Sequence, residues 1–155
     1  MGTSTNGIIC FGVNVEEGAE LPWDEYDGEI EDWWREVVLE YKPPFELFGE
    51  DGDWIDGVPA SNERRSEYFQ HRRDFDARNP ALPIELVMHC SCDYSMYIIA
   101  DRDTVMENSR GYPVRIDVNR FYVPPERVKA IEDFVKKWEI PVDGDIGWWL
   151  VSLWC

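Results

Sequence analysis

Hydrophobic and polar positions along the chain follow two periods, and each period predicts one kind of element. Short apolar runs rich in β-branched and aromatic residues predict buried strands. Two of these runs flank a short turn at residues 91–94, which is the pattern of an antiparallel hairpin. Pro113 places another run at the start or edge of a strand. The five predicted strands cover residues 7–15, 84–90, 95–101, 112–118 and 147–155.

Apolar residues that recur every three or four positions predict three helices. The first begins at Ile30, ends before two consecutive prolines, and carries Trp33 and Trp34 on its apolar face. The second covers residues 61–78 and is more polar, and the third begins after Pro124. The residues expected to face inward from the second and third helices are Tyr68, Phe69, Phe75, Val128, Ile131, Val135 and Trp138. The chain is therefore predicted to be α+β, with a mixed or antiparallel sheet of about four or five strands against two or three helices.

A chain of 155 residues has room for one ordinary domain, and 44% apolar residues suffice for a packed core. We therefore expect a single domain over residues 1–155. No apolar run approaches the roughly 18–20 residues that span a bilayer. The N-terminus lacks the basic start and apolar stretch of a signal peptide, which predicts an intracellular protein.

The charge is unevenly distributed along the chain. Acidic residues number 32 and basic residues 15, for a net charge of −17, and most of the excess lies in a helix-and-loop segment at about 16–60. Nucleic acids and anionic membranes bind basic surfaces, so neither is expected as a direct partner. An acidic chain with few lysines is also typical of a halophile. Clustering of the acids favours a functional surface, because a halophile's acidity is spread along the chain.

Acidic side chains recur every three or four residues along the first helix, opposite its tryptophans. Such carboxylates lie about 5–6 Å apart along the axis, whereas the phosphates of a DNA strand lie about 3.4 Å apart. The acidic loop after the helix would have to supply the remaining charge. The predicted partner-binding surface combines the two and consists of Glu25, Glu29, Asp32, Glu36, Glu40, Glu46, Glu50, Asp51, Asp53 and Asp56.

Two simpler interpretations of the acidic segment stay open. Its carboxylates are solvated and bind nothing, or they pair with the arginines of the second helix, in the same molecule or in a homodimer. The arginines in question are Arg64, Arg65, Arg72 and Arg73.

Catalytic motifs are missing from the sequence: it has no glycine-rich phosphate loop, nucleophile elbow or HExxH. His89, Cys90 and Cys92 are zinc-binding residue types, but in a strand His89 faces away from the two cysteines. We expect the cysteines to act as small buried apolar residues without disulfides. Neither a cofactor nor a metal is therefore predicted, and the protein is expected not to be an enzyme.

Four segments of the chain resemble small uncharacterised accessory proteins of tailed bacteriophages. They are GIICFGVNV at 7–15, ELVMHCSCDYSMYIIA at 85–100, RGYPVRID at 110–117 and GWWLVSLW at 147–154. The resemblance implies a protein that acts in the host cytoplasm. Small acidic phage proteins include inhibitors of host defence of the anti-CRISPR and anti-restriction types, and several of these are DNA mimics.

Three functions compete on this basis. The first is a non-enzymatic inhibitor whose DNA-mimic-like acidic surface binds a basic host protein that handles nucleic acid or acts in defence. The second is a small-ligand or nucleotide-binding protein, or a weak hydrolase, that uses residues 89–93 or a tryptophan-lined pocket. The third is a structural protein whose Trp-rich surfaces form a homodimer.

Overall fold

A computed structural model describes residues 5–26, 29–49, 54–55 and 60–154. The chain forms two compact units, which we call the sheet unit and the helical unit. The sheet unit comprises Met1–Asp24 and Pro83–Cys155, and the helical unit comprises Glu25–Leu82. The single domain expected over residues 1–155 stays a prediction. No helix among the described residues is long and apolar enough to cross a membrane.

The described part of the sheet unit contains five strands and one α-helix. The strands are β1 (Thr5–Val15), β2 (Glu85–Ser91), β3 (Ser95–Ala100), β4 (Met106–Ser109) and β5 (Val142–Trp154). They form a mixed sheet in the order β3-β2-β5-β1-β4, in which β2 and β5 pair in parallel and the other described pairs are antiparallel. The predicted α+β class, the strand number and the β2–β3 hairpin are confirmed.

The sheet closes on itself because β1 pairs with three other strands. One edge of β1 pairs with β5 along nearly its whole length. The other edge pairs with β4 at residues 6–9 and with β3 at residues 12–14. Since β3 pairs with β2 and β2 pairs with β5, four strands complete a ring. Strands β1, β2 and β3 form one buried core cluster, and β5 packs against it with partly buried side chains. The cluster consists of Ile8, Cys10, Val87, Ile98 and Ala100, and the residues packed against it are Val105, Trp149, Val151 and Leu153.

The ring closes at Gly12, where the backbones of β1 and β3 approach closely. A Cβ atom at Gly12 would lie 2.2 Å from the carbonyl oxygen of Ile99. Next to this point, the amide of Asp101 donates to the carbonyl of Phe11 at 2.8 Å, and the amide of Phe11 donates to Oγ1 of Thr104 at 2.9 Å. The crossing is thus both tightly packed and hydrogen-bonded, and it requires glycine at position 12.

The helix of the sheet unit is α3 (Pro125–Lys137), which begins where the two prolines predict it. Ile131 is buried as expected, whereas Val128, Val135 and Trp138 are half-buried. Phe134 is a buried residue of α3 that was not predicted, and its ring lies 6.4 Å from that of Trp23. An ion pair of 2.5 Å between Arg127 Nε and Asp101 Oδ2 joins α3 to the end of β3.

The helical unit contains α1 (Ile30–Trp33), a π turn (Trp34–Val38) and α2 (Asn62–Asp76). Trp33 is buried as predicted, and half-buried Trp34 donates its indole N–H to the carbonyl of Pro80 at 3.1 Å. Tyr41 is also buried, with its ring 4.8 Å from that of Phe75. The predicted first helix is therefore correctly placed but too long.

Two expectations about the fold are wrong. The strand predicted over residues 112–118 is absent, because Gly111, at φ 87°, turns the chain after β4 and Pro113 has no N–H to donate. The strand lies just before this turn, in β4, which is too polar to show an apolar pattern. Phe69 does not face inward as expected: its side chain is 38% exposed, and no residue of α2 is fully buried.

We expect Gly12→Ala to lower the free energy of unfolding by about 3 kcal/mol, because the methyl group meets backbone that cannot move aside. Gly147→Ala is the matched control. Gly147 lies opposite Gly12 in the β1–β5 pair, and a Cβ there meets nothing within 4 Å. Urea titrations followed by tryptophan fluorescence measure the free energy of unfolding of both variants. Equal unfolding midpoints for the two variants would show that the crossing does not constrain residue 12.

Candidate partner-binding surface and other candidate sites

Five of the predicted site residues are exposed carboxylates of the helical unit, and we call them the acidic surface. They are Glu25, Glu29, Glu36, Glu40 and Glu46. Glu29 is the N-cap residue of α1, and Glu36 lies in the π turn. Glu25 and Glu40 lie outside the helix, so the regular stripe expected from the spacing is interrupted. Within the described residues, none of the five side chains forms an ion pair.

Asp32 differs from these residues because arginines neutralise it. Its Oδ1 atom accepts hydrogen bonds from both Arg35 and Arg72, and Nε of Arg35 also donates to Oδ1 of Asp76 at 2.9 Å. Burial would lower the pKa of Arg35, but the hydrogen bonds to Asp76 and Asp32 raise it above its ordinary value. Asp32 therefore contributes to the structure of the helical unit, and its place in the partner-binding surface stays a prediction.

The arginines of α2 have several kinds of contact. Arg72 pairs with Asp32, which confirms in this case that an arginine of α2 pairs with the acidic segment. The guanidinium of Arg64 lies 4.8 Å from the ring centre of Phe45, and that of Arg65 lies 5.3 Å from that of Trp54. Arg73 donates to Gln70 at 2.8 Å. Cation–π contacts of this kind hold a charge against an aromatic face without neutralising it.

The acidic loop is described only in part. Phe48 and Trp54 form an isolated β-bridge, and their ring centres lie 4.7 Å apart. The remaining predicted site residues, Glu50, Asp51, Asp53 and Asp56, lie outside the described residues, and their role stays a prediction.

Residues 89–93 do not form a converging metal site. Nε2 of His89 lies 3.3 Å from Oδ1 of Asn14, Cys90 is a half-buried free thiol, and Cys92 is exposed. No group of three His, Cys, Asp or Glu side chains that could hold a metal ion occurs in the described part of the chain. The zinc alternative therefore receives no support from this geometry.

The cysteines match their expected role only in part. Cys10 is a small buried residue of the core as predicted, and burial raises the pKa of its thiol to about 11. The expectation that the chain has no disulfide is wrong, because Cys92 is disulfide-bonded. We expected no disulfide because thiols stay reduced in a reducing compartment. Cys92 is exposed directly after β2, so its thiol is accessible for pairing.

A cavity of about 350 Å³ in the sheet unit was not predicted from the sequence. Residues of β1, β4 and β5 line it together with residues 114–117 and 120. Its walls carry aliphatic and charged side chains, rather than the tryptophans expected for a ligand pocket. These residues are far apart in sequence, so no local motif indicates the cavity.

The chain matches no known protein-family model, no curated protein and no solved structure. A functional conclusion therefore depends on the surfaces and the cavity described above. The resemblance to phage accessory proteins stays a prediction.

Because arginines neutralise Asp32, we expect its mutation to lower the stability more than mutation of Glu36. Asp32→Asn should lower the free energy of unfolding by about 1 kcal/mol, because a charge-assisted contact to two arginines is lost. Glu36→Gln should change it by less than about 0.5 kcal/mol, because Glu36 is exposed and forms no ion pair with a described residue. Chemical denaturation measures both variants. A larger loss of unfolding free energy for Glu36→Gln than for Asp32→Asn would contradict the structural role of Asp32.

The burial of His89 predicts an acid-sensitive stability. Burial lowers the pKa of His89 below its ordinary value, so on acidification the unfolded chain takes up a proton before the folded protein does. Stability is therefore lost as the pH falls through about 6.5. His89→Gln should lose less stability than the wild type between about pH 7 and pH 5. Identical pH profiles of the unfolding free energy would exclude this linkage.

Proposed function

We propose that the protein is a non-enzymatic inhibitor whose acidic surface binds the basic, nucleic-acid-binding face of a host protein. The observation that carries the proposal is the contrast between Asp32, which two arginines neutralise, and the five exposed carboxylates that form no ion pair within the described residues. The helical unit thus contains arginines, but within the described residues none of them forms an ion pair with these five carboxylates.

The density of charge supports a binding role over simple solvation. Residues 16–56 contain 16 acidic and only two basic residues. Like charges at this density repel each other and destabilise the folded state. A basic partner would remove this repulsion on binding, and the field would accelerate association. The same field opposes direct binding to nucleic acid or to an anionic membrane.

The class of target is inferred from two features. A protein face that binds nucleic acid carries lysines and arginines along the path of the phosphates, so it is complementary to a cluster of exposed carboxylates. The resemblance to phage accessory proteins favours a host defence complex, or another protein that handles nucleic acid, in the host cytoplasm. Binding alone would inhibit such a target by competing with its nucleic acid, and no catalytic group is required.

Charge reversal tests the proposal without disturbing the Asp32 pairs. In the reversed variant, Glu25, Glu29, Glu36 and Glu40 are all changed to lysine. It should stay folded, because all four side chains are exposed. Its binding to the basic target should fall by more than tenfold, because each attractive contact becomes repulsive. The measurement is capture of proteins from the phosphocellulose-binding fraction of a bacterial host lysate, at low and high salt.

A matched control separates the acidic surface from net charge. In the control variant, Glu132, Glu139, Asp143 and Asp145 of the sheet unit, all exposed, are changed to lysine, which alters the net charge equally. A specific target should bind the wild type and the control variant but not the reversed variant. The captured protein should also lose its DNA in a gel-shift competition with the wild type. Capture by all three proteins, or no effect on DNA binding, would overturn the proposal.

A further inference from the structure

We propose that the sheet unit binds a small aliphatic carboxylate in the cavity formed by β1, β4, β5 and residues 114–120. No residue of this site belongs to the acidic surface, so the inference does not depend on the proposed function. It rests on three properties of the cavity: exposed aliphatic walls, an arginine without a hydrogen-bond partner among the described residues, and a size suited to a small molecule.

The aliphatic walls come from the face of the sheet opposite the core cluster. Ile8 and Cys10 of β1 point into the core, so Gly7 and Ile9 belong to the opposite face. Ile9 lies opposite Leu150 of β5, and Leu150 is 77% exposed. Across the cavity Val114 is 63% exposed. A hydrocarbon ligand would remove this apolar surface from water, which is the main favourable contribution to binding in such a site.

The space in the cavity includes the position above Gly7. A Cβ atom built at Gly7 meets no atom within 4 Å, so the absence of a side chain there leaves room next to Ile9. The cavity volume of about 350 Å³ falls at the lower end of the range for small-molecule sites. The described residues that line it include no aromatic ring, which disfavours a nucleotide base that would stack.

One polar group of the cavity, Arg115, is suited to an anionic ligand. Arg115 is exposed and forms no hydrogen bond or ion pair among the described residues. Arg120 reaches only the carbonyl of Asp103, through Nη2 at 3.5 Å. The two acids of the lining are themselves hydrogen-bonded: Glu107 accepts from Asn6 at 2.5 Å, and Asp117 accepts from the amide of Asn119 at 3.0 Å. Each of these carboxylates still has one oxygen without a partner among the described residues. The group suited to an anion is therefore Arg115, whose guanidinium can bind a carboxylate in a bidentate geometry.

Two sources of ligand share this chemistry. One is a free short-chain fatty acid, and the other is the C-terminal carboxylate of a peptide that ends in an aliphatic residue. Hexanoate and N-acetyl-leucine are the probes for the two sources. Hexanamide and N-acetylleucinamide have the same apolar bodies without the charge. Binding to the full chain is measured by isothermal titration calorimetry and by shifts of the NMR signals of Ile9, Val114 and Leu150.

The expected result is saturable binding of at least one acid, at least tenfold tighter than its amide. Tighter binding of hexanoate indicates the free acid as the source, and tighter binding of N-acetyl-leucine indicates the peptide terminus. Equal affinity of acid and amide, or no saturable binding of either acid up to about 10 mM, would overturn the proposal.

Three variants assign the binding to the cavity. Arg115→Gln should weaken binding of the acid by about tenfold and leave the amide unchanged, which corresponds to about 1.4 kcal/mol. Gly7→Leu should fill the cavity and abolish binding of both. The control is Arg110→Gln, because Arg110 is an exposed arginine outside the lining and its loss changes the net charge equally. Circular dichroism checks that each variant is folded. If Arg115→Gln and Arg110→Gln have the same effect, the cavity is not the binding site.

Discussion

The close approach of β1 and β3 at Gly12 is the constraint on which the rest of the sheet unit depends. Through it the edge of β1 that pairs with β4 also pairs with β3, and the sheet becomes a ring. The ring encloses one face of β1, with Ile8 and Cys10, and leaves the other face outside. The core and the aliphatic cavity therefore lie on opposite faces of β1, and the ring closure at Gly12 separates these two faces.

Acidic residues that pair with arginines occur in both units. In the helical unit Asp32 and Asp76 are paired with arginines, so those contacts hold α1 and α2 together, while other carboxylates are left to solvent. In the sheet unit the buried Asp101 pairs with Arg127 and caps the following turn. An acidic residue is thus structural where it has an arginine partner. Under the proposed function, the acidic residues without an ion pair among the described residues are the ones available to a partner.

Local sequence patterns predicted the elements that are themselves apolar. β1, the β2–β3 hairpin and α3 have clear periodicity, and their positions are confirmed. Strand β4 has no such pattern, because its place in the sheet is set by pairing with β1. The pairing of Asp32 with Arg72 joins residues 40 positions apart, and the cavity brings residue 7 to residues 115 and 150. Contacts of this kind depend on the folded topology, which spacing along the chain does not reveal.

The ring has a consequence for how the chain folds during synthesis. Its first strand, β1, leaves the ribosome long before its partner β5, with most of the described chain between them. At typical translation rates this delay is on the order of ten seconds. β3 and β4 are synthesised earlier and can pair with one edge of β1, but the edge that pairs with β5 has no partner throughout that interval. The ring of strands is therefore completed last, and nascent chains on the same messenger expose this unpaired edge to one another until β5 is synthesised.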